Sequence, residues 1–166
     1  MENSASIIVR PVERGDAADL LENCFSMSTL EGVQERIENT IQMLEEGTGV
    51  RFVAEVDGKV VGTVMLKRNS HPLYAHRAEL YDIVVCGYYQ RRGIARRLIA
   101  ECRTHAASMG VETLEVGVRG GTPAEEVYRR LGFIEYARLS GGIKEPWDGG
   151  GVFDEVLLYQ PVERAE

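Results

Sequence analysis

The chain predicts a mixed α/β fold of the α+β kind, with about seven strands and four helices in a single domain over residues 1–166. Three observations carry that expectation. Short runs rich in β-branched residues interleave with stretches of helical apolar spacing, in the order strand, two helices, three strands, helix, strand, helix, two strands. An Asp57-Gly58 pair between two apolar runs marks a tight hairpin. The stretch 79–109 reads as a strand, a basic glycine-bearing turn and a helix.

The first strand is 6–9, stopped by Pro11. Asp16, with Asp19 three residues on, has the character of a helix start leading into Leu20, Leu21 and Phe25. A second helix begins near Leu30, sets Val33, Ile37, Ile41 and Leu44 on one face, and ends at Gly47. Ser26 to Thr29 join the two as a loop. Strands at 50–56 and 59–67 flank the Asp57-Gly58 turn, and Gly62 inside the second marks a bulge or a close backbone approach. After a loop over 69–76 comes the central strand, 80–86, and then a helix with Ile94, Leu98, Ile99, Cys102, Ala106 and Met109 on its apolar face, closed by Gly110. A strand over 112–118 follows. Thr122 and Pro123 are suited to the N-cap and first turn of the fourth helix, with Glu125 and Glu126 favourable at its positive end. Strands at 133–139 and 152–159 flank a glycine-rich excursion that holds the single tryptophan, Trp147.

Composition narrows the function. The 166 residues are 44% hydrophobic and 27% charged, ordinary for a globular protein. A formal net charge of −7 argues against nucleic-acid binding. No apolar run approaches the length of a membrane span and no targeting segment is visible, so the expectation is a cytoplasmic protein. Cys24, Cys86 and Cys102 lack metal-ligand spacing and read as reduced core thiols; no metal site is expected.

Against that acidic background, the turn Gln90-Arg91-Arg92-Gly93-Ile94-Ala95 is locally basic. The first N–H groups of a helix lack intrahelical partners and sit at the positive end of its dipole. Gly93 lets an anion approach the backbone, and Arg91, Arg92 and Arg96 add charge-assisted donors. A small phosphate-bearing ligand fits better than a long polyanion. A solvated basic face with a turn glycine is the plainer alternative.

The same residues match the Gln/Arg-x-x-Gly-x-Gly/Ala signature of the GCN5-related N-acetyltransferase (GNAT) family, and Tyr128-Arg129-Arg130-Leu131-Gly132-Phe133 resembles that family's Tyr-x-x-x-Gly-Phe helix end. The resemblance covers roughly the whole chain and is strongest over 77–134. It implies a twisted, mostly antiparallel sheet that splays beside the central strand and takes acetyl-coenzyme A in the splay. The backbone of Ile83, Val84 and Val85 would pair with the pantetheine arm. The diphosphate would meet the backbone of Arg91, Arg92, Gly93, Ile94 and Ala95, with Gln90 and Arg96 nearby. Many members carry an asparagine where this chain has Gly121; Thr122 or the backbone of 119–122 would take over its contact.

Acetyl transfer to an amine requires a base, an oxyanion donor and an acid for the leaving thiol. Glu79 is the first candidate base. Strict strand alternation puts it on one face with Tyr81, Ile83 and Val85, and an ion pair with Arg77 is its structural alternative. Asp82, re-aimed by a bulge of the kind the family carries, is second and His76 third. Tyr128 matches the family's acid, or is simply a core aromatic, and the Val85 N–H is the expected oxyanion donor. The acceptor is expected to be a small-molecule amine, since 76–79 and 124–128 resemble the tabtoxin-resistance and antibiotic-acetyltransferase branch. The loop Ser26 to Thr29 would wall the acceptor site. Trp147 would cover it, with Glu145 or Asp148 drawing a cation, or would only anchor its own loop. A non-catalytic acyl-coenzyme A sensor and a peptide N-acetyltransferase are the alternative functions. A homodimer is compatible with all three.

Overall fold

In the computed structural model, residues 6–164 are described; residues 1–5, part of the N-terminal stretch read as free of a leader, lie outside them, as do 165–166. The elements follow the expected order: β1 (Ile7–Pro11), α1 (Ala17–Asn23), α2 (Leu30–Glu46), β2 (Gly49–Val56), β3 (Lys59–Arg68), β4 (Arg77–Val85), α3 (Ile94–Ser108), β5 (Thr113–Arg119), α4 (Pro123–Arg130), β6 (Ile134–Lys144) and β7 (Val152–Pro161). Short 3-10 turns at Arg14–Asp16, Pro72–Tyr74 and Gly87–Tyr89 join some of them. The strands form one seven-stranded sheet in the order β1-β2-β3-β4-β5-β7-β6, and only the β4–β5 pair is parallel. No helix among the described residues is long and apolar enough to cross a membrane.

Helices cover both faces. The apolar stripe of α3 (Ile94, Leu98, Ile99, Cys102, Ala106) packs with Val64, Leu66, Ala78 and Leu80, and Tyr128 of α4 joins the same cluster. On the opposite face, Leu20 of α1 and Val33 and Ile37 of α2 close over Val53 and Val60. Gly62 is where α3 comes nearest the sheet: a Cβ there would lie 3.1 Å from Ile94 and 3.4 Å from Leu98. The adjacent pairing also slips, with Val61 left opposite no residue of β2, so both readings of Gly62 hold. Asp57 and Gly58 adopt φ of 50° and 80°, as the tight hairpin requires.

Several local expectations change. Asp16 is buried but does not cap α1 with its side chain; it accepts from Arg10 at 2.8 and 2.9 Å and from the Glu13 N–H at 2.8 Å. Thr29, expected in a loop, caps α2 by accepting from the Gly32 N–H. Leu44 turns outward, and Thr40 takes its place on the buried face by donating to the Arg36 carbonyl. The excursion after 139 begins as strand: β6 runs to Lys144 beside β7, with pairing slips at Tyr136 and between Leu139 and Ile143.

Leu98 is fully buried between α3 and β3, so Leu98→Ala should cost about 2–5 kcal/mol of unfolding free energy, measurable by urea titration.

Candidate active site

The site is organised by an irregularity in β4. Thr63 of β3 faces Val84 and Met65 faces Tyr81, so Asp82 and Ile83 together stand opposite the single residue Val64. Asp82 absorbs the extra length with a left-handed φ of 52°. Arg51, Met65 and Tyr81 lie in register on one side of the sheet, and Asp82 accepts from Arg51 Nη2 at 3.1 Å, so the bulge turns its carboxylate to that side. Strict alternation therefore fails past Tyr81. Ile83 and Val85 pack against the α3-side core and do not share the face of Glu79 and Tyr81.

The same strand opens the sheet. β4 and β5 pair only from Arg77 opposite Thr113 to Leu80 opposite Val116. Beyond that, β4 stays with β3 as far as Val85, while β5 follows β7 to Arg119. The two central strands part and leave a cleft. The Cys86 N–H donates to Val61 at 2.8 Å, so its neighbour Val85 turns its own N–H and carbonyl toward the cleft. The Gln90 side-chain amide meets that carbonyl at 3.1 Å.

At the mouth of the cleft lies the basic turn. Arg91 and Gly93 are both left-handed, with φ of 62° and 79°. α3 begins at Ile94 with no side-chain cap and no acidic residue in its first turn, so the leading N–H groups of Ile94, Ala95 and Arg96 have no built-in acceptor. Neither Arg91 nor Arg96 forms an ion pair among the described residues. Arg92 is held back: it donates to the Tyr88 carbonyl at 3.3 Å and lies 5.2 Å from the ring centres of Tyr88 and Tyr89. An uncapped helix start beside an open strand edge fits a diphosphate carried on an extended arm.

A profile of the acetyltransferase (GNAT) family matches residues 16–133. The chain belongs to this family. An N-alpha-acetyltransferase of Sulfurisphaera tokodaii is 31% identical over 104 residues, a match spanning 57% of this chain and 62% of that relative's length. The fold is similar to that of a GNAT acetyltransferase from Streptococcus pneumoniae (TM-score 0.78, 19% identity, 95% of this chain and all of that one). It is also similar to a phosphinothricin acetyltransferase from Sinorhizobium meliloti solved with acetyl-coenzyme A (0.79, 15%, 94% and 88%) and to a ribosomal-protein-alanine N-acetyltransferase from Brucella melitensis (0.75, 24%, 93% and 99%).

Within this GNAT chain the candidate residues fall unevenly about the cleft. Glu79 is only partly buried and has no hydrogen-bond or ion-pair partner among the described residues, because Arg77 pairs with Glu115 instead. Partial burial, and then the charges of Glu115 and Glu155, raise its carboxyl above the usual range against the pull of Lys67. It lies six residues before Val85, roughly 20 Å along the strand at about 3.3 Å per residue, too far for direct contact with a group held at the Val85 N–H. His76 is exposed and farther still, and its carbonyl accepts from the N–H groups of Glu112 and Thr113. Tyr128 is buried and meets Phe133 edge-on at 5.7 Å, and burial pushes its phenol up, so it stays protonated at neutral pH.

The loop before α4 departs from expectation. Thr122 occupies the N-cap position without capping; its hydroxyl donates to the Arg119 carbonyl at 2.7 Å. Gly121, where many relatives have asparagine, is left-handed and donates its N–H to Glu125. That bond and Arg129 and Arg138 hold the Glu125 carboxyl down to about 2. Glu145 is unavailable to draw a cation, since it pairs with Arg119 at 3.0 Å and accepts from the Gly151 N–H. Trp147 sits 59% exposed in the turn between β6 and β7. A cluster that sequence reading missed lies under the α1–α2 loop: Arg51 and Arg36 converge on Asp82 and on the ring of Phe25, at 5.4 and 4.6 Å from its centre. The available signal was an arginine in the middle of the otherwise buried run 49–54.

Two outcomes test this geometry. Asp82→Ala strands the buried Arg51 guanidinium and should cost about 2–3 kcal/mol, below the full cost for a buried pair because Asp82 is partly exposed, and adding Arg51→Met should recover most of it in urea titrations. Because the folded protein holds the Glu79 proton more tightly than the unfolded chain, ionising Glu79 costs stability as pH rises above the ordinary carboxylate range. Glu79→Gln should therefore raise Tm relative to wild type at pH 8 and not at pH 4.

Proposed function

We propose that this protein transfers the acetyl group of acetyl-coenzyme A to the primary amine of a small molecule, by direct attack of the amine on the thioester. The observation that carries the reading is the outward-turned Val85 backbone beside the uncapped start of α3, across the split between β4 and β5. When bound, acetyl-coenzyme A supplies an activated acyl carbon. The backbone of Ile83, Val84 and Val85 and the turn from Gln90 to Arg96 hold it, with Thr122 at the far wall.

The amine forms the new C–N bond as the C–S bond breaks. A typical alkylamine has a pKa near 10.4, so presenting it neutral at pH 7.4 costs about 4 kcal/mol, and the site must take up a proton. Glu79 receives it through water, a relay that the length of β4 makes necessary; its raised carboxyl pKa suits the role. The Val85 N–H stabilises the charge building on the carbonyl oxygen. Tyr128, kept protonated by burial, gives its proton to the departing thiolate and regains one from the nitrogen as the amide forms. The absence of a side chain at Gly121 leaves that wall to backbone and to the lone pairs of Thr122.

The small-molecule reading is supported by a cavity of about 270 Å³ beneath the α1–α2 loop and by the resemblance to the antibiotic-acetyltransferase branch. A peptide N-terminus is the second reading, favoured by the name of the Sulfurisphaera tokodaii relative.

Thiol release from acetyl-coenzyme A, followed across amine and peptide libraries, tests the proposal, and turnover of peptides alone would replace it with the second reading. No thiol release with any acceptor of either library, despite coenzyme A binding by calorimetry, would indicate a sensor. Tyr128→Phe should lower kcat about 10²-fold or more with coenzyme A affinity unchanged.

A further inference from the structure

The cavity under the α1–α2 loop is lined by Cys24, Phe25, Ser26, Met27, Ser28 and Arg36. Its charge is unbalanced. Asp82 is already satisfied by Arg51, which is buried and donates to it at 3.1 Å. Arg36 stands 3.7 Å from the same carboxylate, beyond hydrogen-bond reach, and spreads its guanidinium over Phe25 at 4.6 Å. Two guanidinium groups therefore share one carboxylate, and Arg36, 42% exposed by side chain, makes no hydrogen bond among the described residues. The hydroxyls of Ser26 and Ser28 beside it are likewise without side-chain partners there. Beneath them, Arg51 Nε is buried with no acceptor. The surroundings are thus short of one anion, at a place that offers a planar fork of donors and two hydroxyls.

Through Arg36, 3.7 Å from Asp82, the cavity wall meets β4. Asp82 belongs to the β4 bulge, and Ile83 to Val85 follow it directly along the cleft.

We propose that this pocket is a carboxylate subsite and that the acceptor is an amino acid: its carboxylate docks on Arg36, with Ser26 and Ser28, while its amine reaches the β4 cleft. The inference rests on the acetyl-transfer reading above and names its substrate class. The transfer itself is unchanged: the ammonium gives one proton to the Glu79 relay, and the neutral amine nitrogen bonds the acetyl carbon as the C–S bond breaks. The thiolate takes the Tyr128 proton, and the second nitrogen proton, lost as the amide forms, returns to Tyr128. A planar guanidinium recognises a carboxylate through paired, charge-assisted hydrogen bonds that an ammonium cannot reproduce.

The experiment measures kcat/KM with saturating acetyl-coenzyme A for each common amino acid, its carboxamide and its decarboxylated amine. Binding of the same compounds to the coenzyme A complex is followed by calorimetry. At least one amino acid should be preferred over its two counterparts without a carboxylate by tenfold or more. Arg36→Met, checked for folding by circular dichroism, should collapse that ratio toward one, and Arg36→Lys should restore part of it. Equal use of acids and decarboxylated amines by the wild type, or a ratio untouched by Arg36→Met, overturns the subsite and leaves acetyl transfer standing. Amino-acid binding that depends on Arg36 without turnover of any amine would uphold the subsite and overturn the transfer reading. The absence of both binding and turnover for every amino acid would also overturn the subsite.

Discussion

β4 must satisfy two neighbours that move apart, and the rest of the molecule accommodates that conflict. Toward β3 the strand is paired along its length, at the cost of one bulge; toward β5 it is paired over only its first four residues. A fully zipped sheet would have consumed the Val85 N–H and carbonyl in a ladder and left no slot between the central strands. Separation is tolerable because β5 has β7 to pair with and because the exposed backbone of β4 opens onto a cleft that a ligand or water can enter.

The bulge couples this opening to the opposite face of the sheet. By swinging Asp82 toward Arg51, it places a carboxylate over a guanidinium that is otherwise sealed within β2 and β3. Such a pair gains little net stability, since desolvation offsets most of the attraction. Its value is positional: the charge at Arg51 fixes where the extra residue of β4 goes, and so how the strand presents the backbone that follows.

What the sequence made legible follows how local each determinant is. The strand, turn and helix over 79–109 are contiguous, and glycines at 47, 58, 93 and 110 mark turns that need left-handed backbone, so element order and the basic turn before α3 could be read directly. The bulge could not, because it depends on β3 offering one residue, Val64, against two. With it went the face of Ile83 and Val85. Arg36, Arg51 and Asp82 come from three separate elements, and no spacing rule links them. Glu79 stands out by its place on the strand, but its distance from Val85, roughly 20 Å, emerges only when strand geometry is laid out.

The outer edge of β6 carries a different consequence. It ends the sheet with backbone groups unpaired by any strand among the described residues, which is the kind of border on which sheets of separate molecules can join. Here the border is not straight: the slips at Tyr136 and between Leu139 and Ile143 kink it twice, and Arg138 adds charge between them. Irregularity on this side therefore limits fibrous stacking of one copy on the next, much as irregularity in the middle of the sheet admits a ligand.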